Sequence, residues 1–287
     1  MLEGTFTAIV TPFTASGEVD YEAFRALIEF QIAGGVTGIV PVGTTGESPT
    51  LSMPEHAKVI ETAIEVSAGR IKIIAGTGAN STSEALELTQ HAKDAGADAT
   101  LQVTPYYNKP NALGLTRHFS AVADLGLPVV LYNVPGRAGR DIPISVVAEL
   151  AKHPQVVSIK EAGGSVDRVS QILNVCDIEV LSGDDSLTFP MMSLGAVGVI
   201  SVASNIAPAP VSQLVAHALA GRWNEARALH FQYYSLFNDL FLDTNPVPVK
   251  AALAMMGKIE ESYRLPLAPM TDELKAKLRK TMTSVGL

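Results

Sequence analysis

The chain has 287 residues, 47% of them hydrophobic and 17% charged, with a formal net charge of −8 at pH 7. That balance speaks against a nucleic-acid surface, which needs clustered Lys and Arg to neutralise phosphates. A single cysteine, Cys176, excludes an intrachain disulfide and fits a reducing compartment. No uncharged apolar stretch approaches the roughly 20 residues of a membrane span. The opening Met1-Leu2-Glu3-Gly4-Thr5 has no basic segment leading into an apolar run, so no signal peptide is expected. A cytoplasmic protein is the expectation.

From Thr5 to about Gly221 one pattern recurs: a short β-branched run, a turn, then an amphipathic helical stretch. The apolar runs fall at residues 6–10, 38–42, 71–75, 99–103, 128–132, 156–160, 178–182 and 197–202. Near-continuous hydrophobic strands alternating with helices predict a parallel sheet covered by helices on its outer face. Eight of them favour a closed (β/α)8 TIM barrel over an open doubly wound sheet. Helix starts are visible in the sequence. In Ser52-Met53-Pro54-Glu55, Ser52 can cap and Pro54 can occupy the first turn. Asn80-Ser81-Thr82-Ser83-Glu84 leads into another helix.

After Gly221 the strands stop. Residues 224–242, 247–257 and 271–285 read as helix, with Pro246 and Pro248 starting the second. The expected organisation is a barrel over 1–221 and a C-terminal helical appendage over 222–287. With no Gly/Ser linker between them, the two are read as one unit.

Active sites of such barrels lie at the C-terminal ends of the strands. Lys160 ends the apolar run Val156-Val157-Ser158-Ile159, so its stem should emerge from buried strand. An amine drawn out of water favours its neutral form and can attack a ketone to give a Schiff base. Tyr132 and the pair Tyr106-Tyr107 offer phenolic proton relays, with a hydroxyl of Thr44 or Thr45 between them. Arg137, in a Gly-Arg-Ala-Gly loop, presents a planar fork suited to a carboxylate. Each has a plainer alternative: an ion-paired strand-end Lys, packed tyrosines, a tight turn at 43–46, a solvated Arg.

Seven segments, in order and over the whole length, resemble the signature segments of the dihydrodipicolinate synthases. They are Gly43-Thr44-Thr45-Gly46-Glu47-Ser48, Tyr106-Tyr107-Asn108-Lys109-Pro110, Tyr132-Asn133-Val134-Pro135-Gly136-Arg137 and Ile159-Lys160-Glu161-Ala162. Ser182-Gly183-Asp184-Asp185, Gly198-Val199-Ile200-Ser201 and Asn245-Pro246-Val247-Pro248-Val249-Lys250 complete the set.

The resemblance implies a lyase of the class I aldolase type that joins pyruvate to L-aspartate 4-semialdehyde. Lys160 would be the Schiff-base lysine and Tyr132 the general acid/base. Thr44 would link Tyr132 to Tyr107, which would arrive from a neighbouring subunit. Thr45 would hold the pyruvate carboxylate and Arg137 the carboxylate of the aldehyde, while Gly183 and Ile200 contribute carbonyls. The resemblance implies no metal, no organic cofactor, and a homotetramer built as a dimer of dimers. It also implies a site for L-lysine as feedback inhibitor, at Ser48, His56, Asn80, Glu84 and Tyr106. Pro49 and Met53 depart from the inhibitor-sensitive pattern, which has a small residue and a His there, so weaker inhibition is expected.

Three other readings compete; one, a phosphate-binding isomerase barrel, is disfavoured because residues 182–186 and 201–205 carry carbonyls and acids where such barrels use Gly-rich loops. Sugar-acid lyases of the same superfamily share the Lys and the Tyr, but Arg137, Thr44-Thr45 and Tyr107 favour the synthase. A keto-acid-binding sensor would tolerate loss of the reactive Lys, which is present.

Overall fold

Eight short parallel strands close on themselves in sequence order, each bonded to the next and the eighth to the first. The computed structural model describes residues 2–287. The first half runs β1 Gly4–Thr7, α1 Tyr21–Ala33, β2 Gly38–Ile39, α2 Met53–Ser67, β3 Lys72–Gly76, α3 Thr82–Ala95, β4 Ala99–Val103 and α4 Ala112–Ala123. Next come β5 Val129–Asn133, the single turn α5 Pro135–Ala138, α6 Ile144–Leu150, β6 Val156–Glu161 and α7 Asp167–Leu173. The barrel closes with β7 Glu179–Ser182, α8 Asp185–Ser193, β8 Gly198–Ser201 and α9 Pro208–Leu219. Three more helices follow: α10 Trp223–Asp239, α11 Val247–Met255 and α12 Asp272–Ser284. This is the expected (β/α)8 barrel with a helical C-terminal part.

Strand side chains alternate between two buried layers, which is why the strands read as continuous apolar runs. Phe6, Ile74, Leu101, Val130, Leu181 and Ile200 fill the barrel interior. Their neighbours Ile39, Ile73, Leu131, Ile159, Val180 and Val199 face outward into the layer beneath the helices. That outer core continues without a break into Tyr233, Leu236, Val249, Leu253, Leu278 and Met282 of the C-terminal helices. α10 packs on α8 and α9, and α12 lies against α10 and α11. No helix among the described residues is long and apolar enough to cross a membrane.

β1 and β2 end three residues before their apolar runs do, each for a local reason. Beyond Thr7 the backbone is bonded by Asn205, whose Nδ2 donates to the Ala8 carbonyl (2.8 Å) while its Oδ1 accepts from the Val10 amide (3.1 Å). After Ile39 the ladder meets Pro41, which has no amide proton, and Val42 turns to φ 52°. The capping expected at Ser52 is present as a complete box. Ser52 Oγ accepts from the Glu55 amide, and the Glu55 carboxylate accepts from the Ser52 amide (2.8 Å).

Candidate active site

Tyr132 on β5 and Lys160 on β6 are register partners, and both point into the barrel interior at its C-terminal mouth. Each is 6% exposed. Lys160 Nζ lies 4.3 Å from the centroid of the Tyr132 ring and forms no ion pair or hydrogen bond among the described residues. The alternative of a strand-end lysine held by an acid is therefore absent here.

A second buried lysine behaves oppositely. Lys250 is 0% exposed, 2.5 Å from Glu47 Oε1 and 4.2 Å from the Phe13 ring centroid. Burial drives its ammonium below the ordinary lysine range, and the Glu47 carboxylate pulls the other way. It is locked in a pair. Lys160 is not.

Gly183 and Ile200 border the same spot. A Cβ on Gly183 would sit 3.0 Å from Lys160 Cε and 2.5 Å from Ala162 Cβ, so glycine is needed for the β7 end to pass beside the lysine. Ile200 is fully buried in the cluster that holds Tyr132. Asp185 fixes the ends of β7 and β8 to one another: its carboxylate accepts from Ser201 Oγ (2.5 Å) and from the amides of Val202 (3.0 Å) and Ala203 (2.9 Å). Burial raises the Asp184 carboxyl above its usual range, with the Lys160 charge opposing.

A cavity of about 230 Å³ opens at the mouth, walled by Thr44, Leu101, Tyr106, Tyr132 and Arg137 among others. It is smaller than the roughly 300–1,000 Å³ of sites for drug-sized ligands, so a small molecule fits it. Thr44 and Thr45 lie in the tight loop after β2. There the Gly43 carbonyl accepts from the Gly46 amide (3.1 Å) and the Thr44 carbonyl from the Glu47 amide (3.1 Å). The amides of Thr44 and Thr45 themselves find no acceptor among the described residues. Glu47 takes φ 55°, and its carboxylate is held by Lys250. Thr45 is 3% exposed, and its Oγ1 accepts from Asn245 Nδ2 at 2.9 Å. Arg137, on the one-turn α5, donates from Nη2 to the Asn245 carbonyl at 3.0 Å.

Beside this cavity Asn133 and Glu161 organise the far side of β5 and β6. Asn133 Nδ2 donates to Glu161 (2.9 Å), and Arg168 Nε donates to the same carboxylate (2.9 Å). Burial raises the Glu161 carboxyl, while Asn133 and Arg168 oppose the shift.

Tyr107 is not brought to Thr44 within the chain. It is 91% exposed, at φ 69°, on the loop after β4. Of the residues expected around lysine, Ser48 and Tyr106 line the cavity wall. Asn80 Nδ2 donates to the Tyr106 carbonyl at 3.3 Å. The Tyr106 phenol is shifted upward, first by burial and then by the Glu84 charge. His56 is 4% exposed, and its Nε2 is bonded at 3.0 Å to the carbonyl of Gly76, which lines the same cavity. Burial lowers its pKa, and the bond to the Gly76 carbonyl opposes the shift.

Asn245, the Glu47–Lys250 pair, Asp185 and Glu161 lie within recognisable segments, yet no role for them was read from sequence. Lys250 carried a usable signal. A lysine inside Val247-Pro248-Val249-Lys250-Ala251-Ala252-Leu253 needs a buried partner.

The description "Dihydrodipicolinate synthetase family" belongs to a family model that matches residues 1–285. A 4-hydroxy-tetrahydrodipicolinate synthase of Geotalea daltonii is 53% identical over 290 residues, covering all of both chains. A dihydrodipicolinate synthase of Acinetobacter baumannii, solved in complex with pyruvate, is 47% identical at a TM-score of 0.98. The match covers 100% of this chain and 99% of that one. The enzyme of Cyanidioschyzon merolae, solved with lysine bound, is 39% identical at a TM-score of 0.96, covering 99% and 98%. With the family model spanning nearly the whole length and this barrel-mouth geometry beneath it, the chain belongs to the dihydrodipicolinate synthetase family.

Proposed function

We propose that this chain condenses pyruvate with L-aspartate 4-semialdehyde through a Schiff base on Lys160. The product is 4-hydroxy-tetrahydrodipicolinate, in lysine and diaminopimelate biosynthesis. The observation that carries the assignment of the nucleophile is a buried, unpaired Lys160 in register with Tyr132.

The neutral amine of Lys160 attacks the ketone carbon of pyruvate, and the carbinolamine loses water to leave an iminium. A proton then leaves the methyl carbon, and the resulting enamine carbon attacks the aldehyde carbon, whose oxygen takes up a proton. The amino group of the aldehyde substrate then adds to the iminium carbon and displaces the Lys160 amine, which closes the ring and frees the lysine. Tyr132 moves the protons in these steps, as a general acid/base worth ~10²–10⁴-fold. The uncommitted amides of Thr44 and Thr45, with the Thr45 hydroxyl, supply donors for the pyruvate carboxylate. Arg137 faces the cavity and takes the carboxylate of the aldehyde. Gly183, beside Lys160, and Ile200 contribute backbone carbonyls to the substrate site.

Tyr107, exposed in one chain, reaches Thr44 from a second copy, within a dimer that pairs again into a tetramer. Ser48, Asn80, Glu84 and Tyr106 form a lysine site next to the cavity, with His56 supporting it through the Gly76 carbonyl rather than through charge. The C. merolae enzyme, solved with lysine bound, supports this reading. The enzyme works in the cytoplasm.

A coupled assay with pyruvate and aspartate semialdehyde, run beside sugar-acid substrates, tests the assignment. Turnover of the semialdehyde pair is the expected result. Cleavage of sugar acids with no condensation activity would overturn it.

A further inference from the structure

Asn245 is the residue at which the groups proposed for the two substrates meet. Its side-chain Nδ2 donates to Thr45 Oγ1 at 2.9 Å, and its main-chain carbonyl accepts from Arg137 Nη2 at 3.0 Å. It is 7% exposed and comes from the segment just before α11, 200 residues along the chain from Thr45.

A threonine hydroxyl has one proton and two lone pairs. When Nδ2–H occupies a lone pair, the hydroxyl's own proton points elsewhere. Thr45 Oγ1 has no other hydrogen-bond partner among the described residues, and the Thr45 amide is also uncommitted. Both donors are thus left for an anion. Oδ1 of Asn245 is buried without a partner, so it is the donor end of the side chain that is committed to Thr45. The reverse arrangement, with an acceptor facing Thr45, would consume the hydroxyl proton and turn a lone pair toward an incoming carboxylate.

We infer that Asn245 is a positioning residue that sets the direction of the Thr45 hydroxyl proton toward the keto-acid carboxylate. The inference deepens the proposed function and rests on Thr45 holding that carboxylate. The frame around it is fixed at a second point, where Glu47, two residues beyond Thr45, binds Lys250. Because Arg137 is bonded to the same residue, the spacing between the two substrate carboxylates is registered on Asn245.

The test compares Asn245→Asp with Asn245→Ala in the full-length enzyme. It reads KM for each substrate, borohydride trapping of the pyruvate adduct, and Tm. Asp has the same shape but presents only acceptors. It should raise the pyruvate KM about 10- to 100-fold, the range for losing a charge-assisted hydrogen bond, and by more than Ala does. The aldehyde KM should move less, because Arg137 is held by the main chain. In a Thr45→Val background the difference between Asp and Ala should disappear. If the Asp variant does not fold, the Ala effect on pyruvate KM should still vanish in that background.

An Asp variant with near-wild-type pyruvate KM overturns the inference, as does an Ala variant worse than Asp. So does an Asn245 effect that persists undiminished with Thr45→Val. Failure of the wild-type enzyme to give any borohydride-trapped adduct would instead sink the Schiff-base reading itself.

Discussion

Tyr132 and Lys160 sit opposite one another on adjacent strands, with the lysine nitrogen 4.3 Å from the tyrosine ring centroid. The ring packs in the barrel interior, and its phenol makes no hydrogen bond among the described residues. Removing the hydroxyl therefore leaves the packing and takes away the proton carrier. Tyr132→Phe should lower kcat by ~10²–10⁴-fold with Tm close to wild type. Near-wild-type turnover would show the ring to be a packing element only.

Pyruvate with borohydride should modify Lys160 and spare Lys250, although the latter is the more deeply buried of the two. Lys250 is committed to Glu47 and Phe13, whereas Lys160 forms no ion pair among the described residues. Peptide mapping decides between them. An adduct on Lys250 would invert the assignment.

Breaking the Glu47–Lys250 pair leaves a charge stranded in the interior. Glu47→Gln or Lys250→Met alone should cost about 3–5 kcal/mol in denaturant unfolding. The double variant should recover much of that loss, since no lone charge remains. A double variant as unstable as the singles would mean that shape, not charge, dominates there.

Arg137→Ala should chiefly damage use of the aldehyde. Losing a charge-assisted hydrogen bond to its carboxylate costs roughly 1.5–3 kcal/mol in kcat/KM. Formation of the pyruvate adduct should continue. Parallel loss of both would place Arg137 on the pyruvate side, or make it a brace for Asn245 alone.

L-Lysine should inhibit, more weakly than in family members with a His in place of Met53. Glu84→Ala should relieve the inhibition more than it slows catalysis. The reason is the cluster of Asn80, Glu84 and Tyr106 beside a cavity that Tyr132 also lines. Coupling requires lysine to bind the states of that site unequally. Initial rates under lysine titration check this, and a flat response to millimolar levels would leave those residues with no regulatory role.

The barrel was legible because its strands are buried on both faces and its helices carry capping signals such as Ser52-Glu55. The strand ends were less so. Val42 and Glu47 take left-handed conformations imposed by tertiary contacts, and Asn205 replaces ladder bonds around Ala8 and Val10. Lys160 and Tyr132 stood out as reactive side chains closing apolar runs. Asn245, Glu47 and Lys250 did not, because their chemistry consists of contacts between segments 200 and 203 residues apart. His56 shows what sequence leaves out: its Nε2 is bonded to the Gly76 carbonyl, a partner 20 residues away in the chain.

Those long-range contacts put the finished catalytic loop late in the life of a growing chain. Residues 43–48 leave the ribosome early, but Asn245, Lys250 and Arg264, which hold Thr45 and Glu47, follow some 200 residues later. At ~5–20 residues per second that is a delay of about 10–40 s. In the later part of that interval Lys160 already exists on the emerging chain, while the donors beside it lack their braces. A product terminated between residues 160 and 245 would carry the nucleophile without Asn245, which orients the donors that hold its substrate.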